Sequence, residues 1–385
     1  PAPGTMLVVA YNAHKGWPRN GSNVLVCDGK NDDVQINAAI AALPAASGRI
    51  TLTEGEFDIV NQVSLSKSGM ALEGMGPEAT TLKLANGANV TLLRLTKSGI
   101  TVKSLGINGN KANNTSGNGI NVSKMGVNLR QVFIVNTKDD GIYGLKTGET
   151  DTFLHLSNVQ CQKAGRDGIH IENAGLGCFY HDIVSDQNGR HGLYLDGCSS
   201  QELLFINSGS NTGRGLIMES CPNSTVTMFY SEGNTGGGPR FNLCNHLNVY
   251  TLYSIADGAA NNLQILQILG SWPNGIHTLI CGLRVYDYAG NGNTGVYISG
   301  VNRFTWLGGD ISISSTALNP STGVYYNAAN DMAVGVGIVM TGAGGIPLNK
   351  VAGRFVLSPT YLTENRGSAT LLSGTTSLTV AHGLA

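Results

Sequence analysis

The chain has 385 residues, 53 of them Gly, and carries a formal net charge of −1 with 13% charged residues. This length is large for one compact core, and so much glycine with only 6% aromatic residues is not typical of a helical bundle. The absence of a basic run argues against a nucleic-acid partner. The absence of an apolar stretch of membrane-spanning length argues against membrane insertion.

Residues 1–49 are predicted to form a strand, "MLVVA", followed by a short capping helix. Asp32 is expected to cap the helix N-terminus, with Gln35 three residues later completing a capping box. Pro44 should end the helix. One apolar stripe is predicted to face the core, formed by Val34, Ile36, Ala39, Ile40 and Leu43. Such a helix would cover the open end of a stack of strands.

A glycine-led phrase recurs through the middle of the chain. Its glycines are separated by 22, 27, 24, 23 and 23 residues and are Gly119, Gly141, Gly168, Gly192, Gly215 and Gly238. A repeat of this length with strand-like alternation is typical of a solenoid. The L-x-x-L-x-L pattern that is typical of leucine-rich repeats, which have a similar period, is missing. We therefore predict an all-β fold, a right-handed parallel β-helix over residues 50–365 with coils of about 22–27 residues, each coil turning at its glycine.

The alternation assigns each position of the phrase to a face. The first and third residues after each glycine are apolar and should point inward, whereas the second and fourth should point outward. Three cysteines share one position in successive coils, and we expect Cys198, Cys221 and Cys244 to stack as packed, reduced thiols. Because no C-x-x-C pair is present, structural zinc is not expected.

Titratable residues concentrate in three outward columns between residues 140 and 220. The candidate catalytic residues are Glu172, Asp196, Glu219, His170, Asp167 and Asp140. The candidate substrate-binding residues are Tyr143, Tyr194, His191, Arg190, Arg214 and Arg240. Carboxylates in neighbouring coils would lie at separations suited to glycoside hydrolysis. A lyase would instead use His170, His191 or a tyrosine as base, with an arginine neutralising a uronate.

A solvated surface is the competing interpretation, because every coil repeats the last and exposed faces are polar. Asp139 and Arg166, in adjacent coils, are expected to form an ion pair rather than a catalytic couple. His155 and His181 have no counterparts in the repeat and are expected to be incidental.

Three segments together resemble the N-terminal part of pectate-lyase-superfamily β-helix proteins. They are "CDGKNDDVQINAAIAAL", "GRITLTEGEFDI" and "LEGMGPEATTLKL", within residues 20–85. That group includes polysaccharide-degrading enzymes and phage tail spikes, so the resemblance implies a β-helix and carbohydrate handling. The dense aspartate cluster of pectate lyases is missing. Asp139-Asp140 and "GRHG" at 189–192 only partly match polygalacturonases, which also have N-x-D and R-I-K motifs. No residue role is therefore transferred.

The resemblance implies an extracellular or virion-surface polysaccharide lyase or glycoside hydrolase, acting on an acidic or cell-surface polymer and forming a homotrimer. The alternative is a non-catalytic carbohydrate-binding or structural spike module, and an epimerase or adhesin is a weaker third. No cofactor is predicted; calcium stays open, although no calcium site is recognisable. Residues 366–385 contain "SGTTSLTVAHGL", which resembles the junction to a further β-segment of a tail protein, cut short here.

Overall fold

The computed structural model describes residues 4–11, 23–124, 126–145, 153–174, 177–255, 257, 264–270, 277–287, 294–301, 303–313, 322–341 and 346–358. The predicted segment 366–385 lies outside these residues. One α-helix is described, α1 (Asp33–Ala42), and one 3₁₀ turn (Lys111–Asn113). No described helix has the length and apolar character needed to cross a bilayer.

The rest of the ordered secondary structure is β. The strands are β1 (Thr5–Val9), β2 (Val24–Val26), β3 (Ala46–Leu52), β4 (Gly55–Ile59), β5 (Val63–Leu65), β6 (Ser68–Glu73), β7 (Thr80–Leu84), β8 (Leu93–Leu95), β9 (Thr101–Asn108), β10 (Ile120–Val122), β11 (Val127–Val135), β12 (Ile142–Leu145), β13 (Leu154–Gln162), β14 (Ile169–Glu172), β15 (Phe179–Asp186), β16 (Leu193–Asp196), β17 (Glu202–Gly209), β18 (Leu216–Glu219), β19 (Thr225–Glu232), β20 (Arg240–Asn242), β21 (Leu247–Ile255), β22 (Gln264–Leu269), β23 (His277–Asp287), β24 (Thr294–Ser299), β25 (Arg303–Ile313), β26 (Thr322–Thr341) and β27 (Ile346–Ser358).

The first two coils have three strands each, β3–β5 and β6–β8, and β9 then pairs with both β6 and β7. From β9 onward, each coil places one short strand and one long strand in two parallel ladders. The short-strand sheet runs β5, β8, β10, β12, β14, β16, β18, β20, β22, β24 and β26. The long-strand sheet runs β9, β11, β13, β15, β17, β19, β21, β23 and β25, and β26 joins it at its far end. This is the predicted parallel β-helix.

The long strands bend at one residue per coil. Residues in the left-handed region recur at the same register, at Gln131, Asn158, Asp182, Phe205, Met228 and Thr251. One such residue turns the chain without breaking the ladder, so each long strand contributes to two faces of the coil. Asn and Asp adopt this conformation at little cost, whereas Phe205 and Met228 do so against their preference.

The core follows the predicted alternation. The first and third residues after each glycine are buried, as Ile169 and Ile171 show in β14. Cys198, Cys221 and Cys244 are buried free thiols, each donating to a carbonyl of the preceding coil at 3.4–3.5 Å. Hydrogen bonding with the Cys198 and Cys244 thiols, together with burial, raises the pKa of Cys221 far above its ordinary value. The predicted cysteine stack is therefore present.

Helix α1 packs against β1, β2, β4 and β5 at the first coil. Its polar side chains bond to backbone of the first coil: Asp33 Oδ1 accepts from Val60 N, just after β4, at 2.9 Å, and Asn37 Oδ1 accepts from Ser64 N, in β5, at 3.2 Å. The helix thus covers strand edges as well as apolar side chains.

Two details of the helix prediction are wrong. Asp32 makes no side-chain cap bond, because its carboxylate accepts from Gly29 N and Asp58 N instead, and no capping box with Gln35 forms. Val34 is 57% exposed, so the buried stripe is narrower than predicted and consists of Ile36, Ala39, Ile40 and Leu43.

A buried amide ladder lies behind the repeated glycines. Four side chains stack at one register in successive coils, those of Asn188, Asn211, Asn234 and Asp257. In each of the last three, Oδ1 accepts hydrogen bonds from the backbone N and from the Nδ2 of the member in the preceding coil. A serine three residues before each member completes the ladder, and Ser185 and Ser208 donate to the carbonyls of Gly192 and Gly215 at 2.7 and 2.8 Å.

This ladder adds a second reason for the recurring glycine to the predicted turn. The chain bends at all six repeat glycines, as predicted, although none of them has a positive φ. A Cβ on Gly192 would lie 1.9 Å from Ser208 Oγ, and one on Gly168 would lie 2.0 Å from Ser185 Oγ. Besides the bend, a glycine is required because a serine approaches closely at Gly168, Gly192, Gly215 and Gly238, and because the carbonyl oxygen of the next repeat glycine approaches closely at Gly119 and Gly141.

Replacing Gly192 with Ala is expected to lower the free energy of unfolding by about 3 kcal/mol, because the backbone carbonyl of Gly215, 2.6 Å from the new Cβ, cannot move aside like a flexible side chain. Urea unfolding followed by circular dichroism measures the change. Gly4→Ala is the control, since no atom lies within 4 Å of its Cβ position. Equal stabilities for the two variants would contradict the close-approach explanation.

Candidate functional site

The outward face of the short-strand sheet carries two of the predicted columns in register. Tyr143, His170, Tyr194, Ile217 and Arg240 form the first column, and Leu145, Glu172, Asp196, Glu219 and Asn242 form the second. We call the surface formed by Tyr143, His170, Glu172, Arg190, Tyr194 and Asp196 the central face. Parallel pairing without a slip between these strands is what keeps the columns aligned.

The third predicted column lies at the entrance to these strands, and its side chains bond to backbone. Asn118, Asp140, Asp167 and His191 each accept a hydrogen bond from the backbone N of the next member, at 2.9–3.0 Å, with Arg214 N as the last donor. Asp, Asn and neutral His suit this position because each offers an acceptor atom on a short side chain.

Three of the candidate catalytic residues predicted to face water are buried. Asp140 is 1% exposed, Asp167 is 0% exposed and His170 is 4% exposed. The prediction is wrong because the entrance column folds under the face to satisfy backbone donors, and because flanking tyrosines cover His170. A buried carboxylate cannot contact a polymer directly, so the two aspartates can only support other groups.

These buried groups form one ionic network with Arg190, whose side chain is 40% exposed. Arg190 donates through Nε to Asp167 Oδ1 at 2.7 Å and through a second nitrogen to Asp167 Oδ2. His170 Nδ1 lies 3.3 Å from Asp167 Oδ2 and 3.6 Å from Asp140 Oδ2. Asp140 Oδ2 has no hydrogen-bond partner among the described residues. Buried ions cost stability unless they are paired, so this network marks a specialised place on the face.

Arg166 pairs with a different carboxylate from the one predicted. Its Nε lies 3.7 Å from Asp140 Oδ1, whereas Asp139 Oδ2 accepts from Gly117 N at 2.7 Å. The predicted Asp139–Arg166 ion pair is therefore replaced by an Asp140–Arg166 pair.

Two tyrosines flank His170 edge-on. The centroids of Tyr143 and Tyr194 lie 5.3 and 4.8 Å from that of His170, with interplanar angles of 86° and 90°. The Arg190 guanidinium lies 5.5 Å from the Tyr194 ring centroid. Burial, followed by nearby carboxylates, raises the pKa of both phenols. Both tyrosines are therefore neutral hydroxyl groups on the surface, suited to bind sugar and poorly suited to act as bases.

Glu172 connects the buried network to solvent. Its Oε1 lies 2.8 Å from His170 Nε2, off the direction of a ring N–H, and its side chain is 32% exposed. Asp196 follows at the next rung. Glu219, one rung further, is held by Arg240 at 3.1 Å and by Asn242 at 2.5 Å. Of the three predicted carboxylates, Glu172 and Asp196 are thus the pair beside the network.

His191 is held as a neutral ring. Its Nδ1 accepts from Arg214 N, so the proton of the neutral ring is on Nε2. Burial lowers the pKa of His191 to about 4, since desolvation disfavours the imidazolium and Asp167 only partly compensates. The ring also stacks on Tyr194 at 6.0 Å between centroids. His191 can donate a hydrogen bond, but neither nitrogen is free to accept a proton from substrate.

This arrangement makes stability depend on pH. Because the folded-state pKa is below the ordinary value of about 6.5, the unfolded chain binds the proton more readily. The contribution of neutral His191 to the free energy of unfolding is complete above pH 6.5 and is lost as the pH falls toward about 4. His191→Asn keeps an acceptor, as Asn118 does in this column, and should flatten the pH dependence of the urea midpoint in that window. An unchanged dependence would contradict the assignment.

Arg214 is not available to a substrate. It is 8% exposed, and its guanidinium donates to Gly238 O at 3.2 Å, so its assignment as a substrate-binding residue is wrong. Burial and the nearby Arg240 lower its pKa to about 10. Arg240, 33% exposed, stays on the surface but is paired with Glu219.

Asp140, Asp167 and His170 offer three ligand atoms within 4.8 Å of one another. This group could hold a metal ion, but it does not fit calcium, which takes six to eight oxygen ligands. The Arg190 guanidinium already supplies positive charge there, 3.4 Å from His170 Nδ1 and in contact with both oxygens of Asp167.

Sequence reasoning missed two features. The amide ladder could have been found from the recurring S-x-x-N spacing, in "SDQN", "SGSN" and "SEGN". His155 and His181, expected to be incidental, lie 5.9 Å apart on the long-strand sheet and form a cluster with Phe179. Their strands are neighbours, but their register is diagonal, so the glycine-led repeat does not reveal them.

The fold defines the chain as a parallel β-helix protein, and solved structures share that fold. Three of them are similar to this chain. The A-module of mannuronan C-5 epimerase AlgE4 of Azotobacter vinelandii is 16% identical with a TM-score of 0.59, covering 86% of this chain and 97% of that one. The catalytic unit of a GH87 α-1,3-glucanase of Streptomyces thermodiastaticus is 12% identical with a TM-score of 0.53, covering 86% and 65%. The enzymatically active domain of bacteriophage CBA120 tailspike protein 2 is 13% identical with a TM-score of 0.51, covering 74% and 45%.

At the level of sequence, the chain matches no protein-family model and no curated protein. The structural likenesses confirm the fold that the N-terminal segments implied. At these identities they assign no residue roles.

Proposed function

We propose that this protein is a polysaccharide-degrading β-helix enzyme that hydrolyses glycosidic bonds on its central face. The observation that carries the proposal is the network of the buried Asp140, Asp167 and His170 with the partly exposed Arg190, beside the partly exposed Glu172 and Asp196. Fold neighbours whose names denote an epimerase, a glucanase and a tailspike support a polysaccharide as substrate.

Hydrolysis is favoured over elimination by the state of the basic groups. Neighbouring rungs lie about 4.8 Å apart, which brings Glu172 and Asp196 near the roughly 5 Å separation of retaining glycosidases. Elimination needs an exposed base. His191 has its acceptor nitrogen occupied, His170 is buried, and both tyrosines have a raised pKa.

The proposed roles follow from position. Glu172 donates its proton to the glycosidic oxygen as the bond from that oxygen to the anomeric carbon breaks, and it then takes a proton from the water that adds to that carbon. Asp196 stabilises the positive charge that develops on the sugar ring, or bonds to the anomeric carbon until that water displaces it. Tyr143 and Tyr194 bind sugar. Arg166 and Arg190, 47% and 40% exposed, favour an acidic polymer.

An extracellular or virion-surface location and a homotrimer belong to the same proposal. The similarity to the enzymatically active domain of bacteriophage CBA120 tailspike protein 2 supports the location.

The test is incubation with mannuronan, polygalacturonate, α-1,3-glucan and purified bacterial capsular polysaccharides. The expected result is new reducing ends from at least one polymer, without the ultraviolet absorbance of an unsaturated uronate. That absorbance would show a lyase instead. Binding to a polymer without any cleavage would support the carbohydrate-binding module and overturn the enzymatic proposal.

A further inference from the structure

A pair of stacked tyrosines lies on the short-strand sheet, far along the solenoid from the central face. The rings of Tyr297 and Tyr325 are parallel within 2°, and their centroids are 4.8 Å apart. In β24 the alternating Val296 and Ile298 are buried, whereas Tyr297 and Ser299 are partly exposed. The pair is therefore on the outer surface of the sheet.

This pair belongs to the same column as the central face. Pairing without a slip carries the register from Tyr194 to Ile217, Arg240, Gln267, Tyr297 and Tyr325. Tyr297 is four rungs from Tyr194 and Tyr325 is five, which corresponds to about 19 and 24 Å along the solenoid axis. A single continuous strip of sheet thus connects the tyrosine pair to Glu172 and Asp196.

The chemistry of the strip changes along its length. Next to Tyr194 the neighbouring column is acidic, with Glu172, Asp196 and Glu219. Beyond Glu219 it continues through Asn242, Leu269 and Ser299, which carry no charge. Uncharged polar and aromatic side chains bind sugar rings through hydroxyl and CH contacts, and they supply no acid or base.

We propose that Tyr297 and Tyr325 form a distal subsite for the polysaccharide, holding sugar units of the same chain whose scissile bond lies at Glu172 and Asp196. This inference rests on the proposed function and adds to it that the polymer lies along the solenoid axis across the short-strand sheet. A disaccharide cannot span 19 Å, so only longer chains occupy both places. The subsite therefore selects for chain length.

The test compares wild type with the double variant Tyr297→Ala/Tyr325→Ala on whichever polymer of the panel the wild type cleaves. KM for the polymer is expected to rise about tenfold, whereas kcat/KM for a trisaccharide fraction of the same polymer should stay unchanged. The matched control is Tyr230→Ala/Tyr253→Ala, a tyrosine pair 6.3 Å apart on the long-strand sheet, which should change neither constant.

The outcomes separate the two proposals. If wild type cleaves the polymer and both double variants behave alike, the subsite is absent while the proposed function stands. If Tyr297→Ala/Tyr325→Ala lowered kcat/KM equally for the polymer and for the trisaccharide, the subsite would also be overturned, since this result would indicate a disturbed fold. Tyr297→Phe/Tyr325→Phe keeps the stacked rings and should retain most of the polymer affinity. If wild type neither cleaves nor binds any polymer, the proposed function fails and the subsite fails with it.

Discussion

Changing Glu172 to Gln is expected to lower kcat on the cleaved polymer by a factor of about 10²–10⁴, the usual contribution of a positioned acid or base. Glu172 is the exposed end of the network: His170 Nε2 is 2.8 Å from its Oε1, and Asp167 lies behind His170. The amide keeps the shape and loses the transferable proton. KM should change little, since sugar contacts come mainly from Tyr143 and Tyr194.

The control for Glu172→Gln is Glu202→Gln. Glu202 is a carboxylate on the long-strand sheet, with His181 as its neighbour at 3.7 Å. Reducing-end formation under identical conditions measures both variants. A Glu202 variant as impaired as the Glu172 variant, or a Glu172 variant with wild-type kcat, would rule out the proposed proton transfer.

Replacing Asn211 by Leu should be the most destabilising single change in the interior polar network, lowering the free energy of unfolding by about 3–5 kcal/mol. Asn211 Oδ1 accepts from both Asn188 N and Asn188 Nδ2, and its own Nδ2 donates to Asn234 Oδ1 at 2.7 Å. Its loss leaves buried donors and an acceptor without partners in two neighbouring coils.

The matched comparison is Asn207→Leu, four residues earlier on the exposed side of β17, which should change stability by less than about 0.5 kcal/mol. Urea unfolding of both variants gives the two free energies. A loss of under about 1 kcal/mol for Asn211→Leu would mean that water or a rearranged coil replaces the ladder bonds.

The fold could be predicted because its signal is repeated. The same apolar alternation recurs in each coil, so one atypical residue does not shift the predicted register. Inward residues such as Ile169 and Leu193 are buried as expected. The identity of the columns followed from the same spacing, and pairing places Glu172 beside Asp196.

Burial at the site could not be predicted, because it depends on what each side chain contacts across coils. Asp167 alternates as an outward residue would, yet its carboxylate accepts from His191 N in the next coil and is 0% exposed. The bend at Gly192 was predicted, but its close approach to Ser208 was not, since that contact joins two coils and leaves no mark in the sequence of either one. Alternation predicts a side of the sheet; it does not predict which side chains fold back onto backbone.

Whether a polysaccharide is cleaved on the central face is decided by a crystal structure with a bound oligosaccharide of the cleaved polymer. We expect sugar density across Tyr143 and Tyr194, with a glycosidic oxygen within hydrogen-bond distance of Glu172 and the sugar chain continuing along the short-strand sheet. Sugar density confined to the long-strand sheet, over Phe179 and His181 or over Tyr230 and Tyr253, would contradict it.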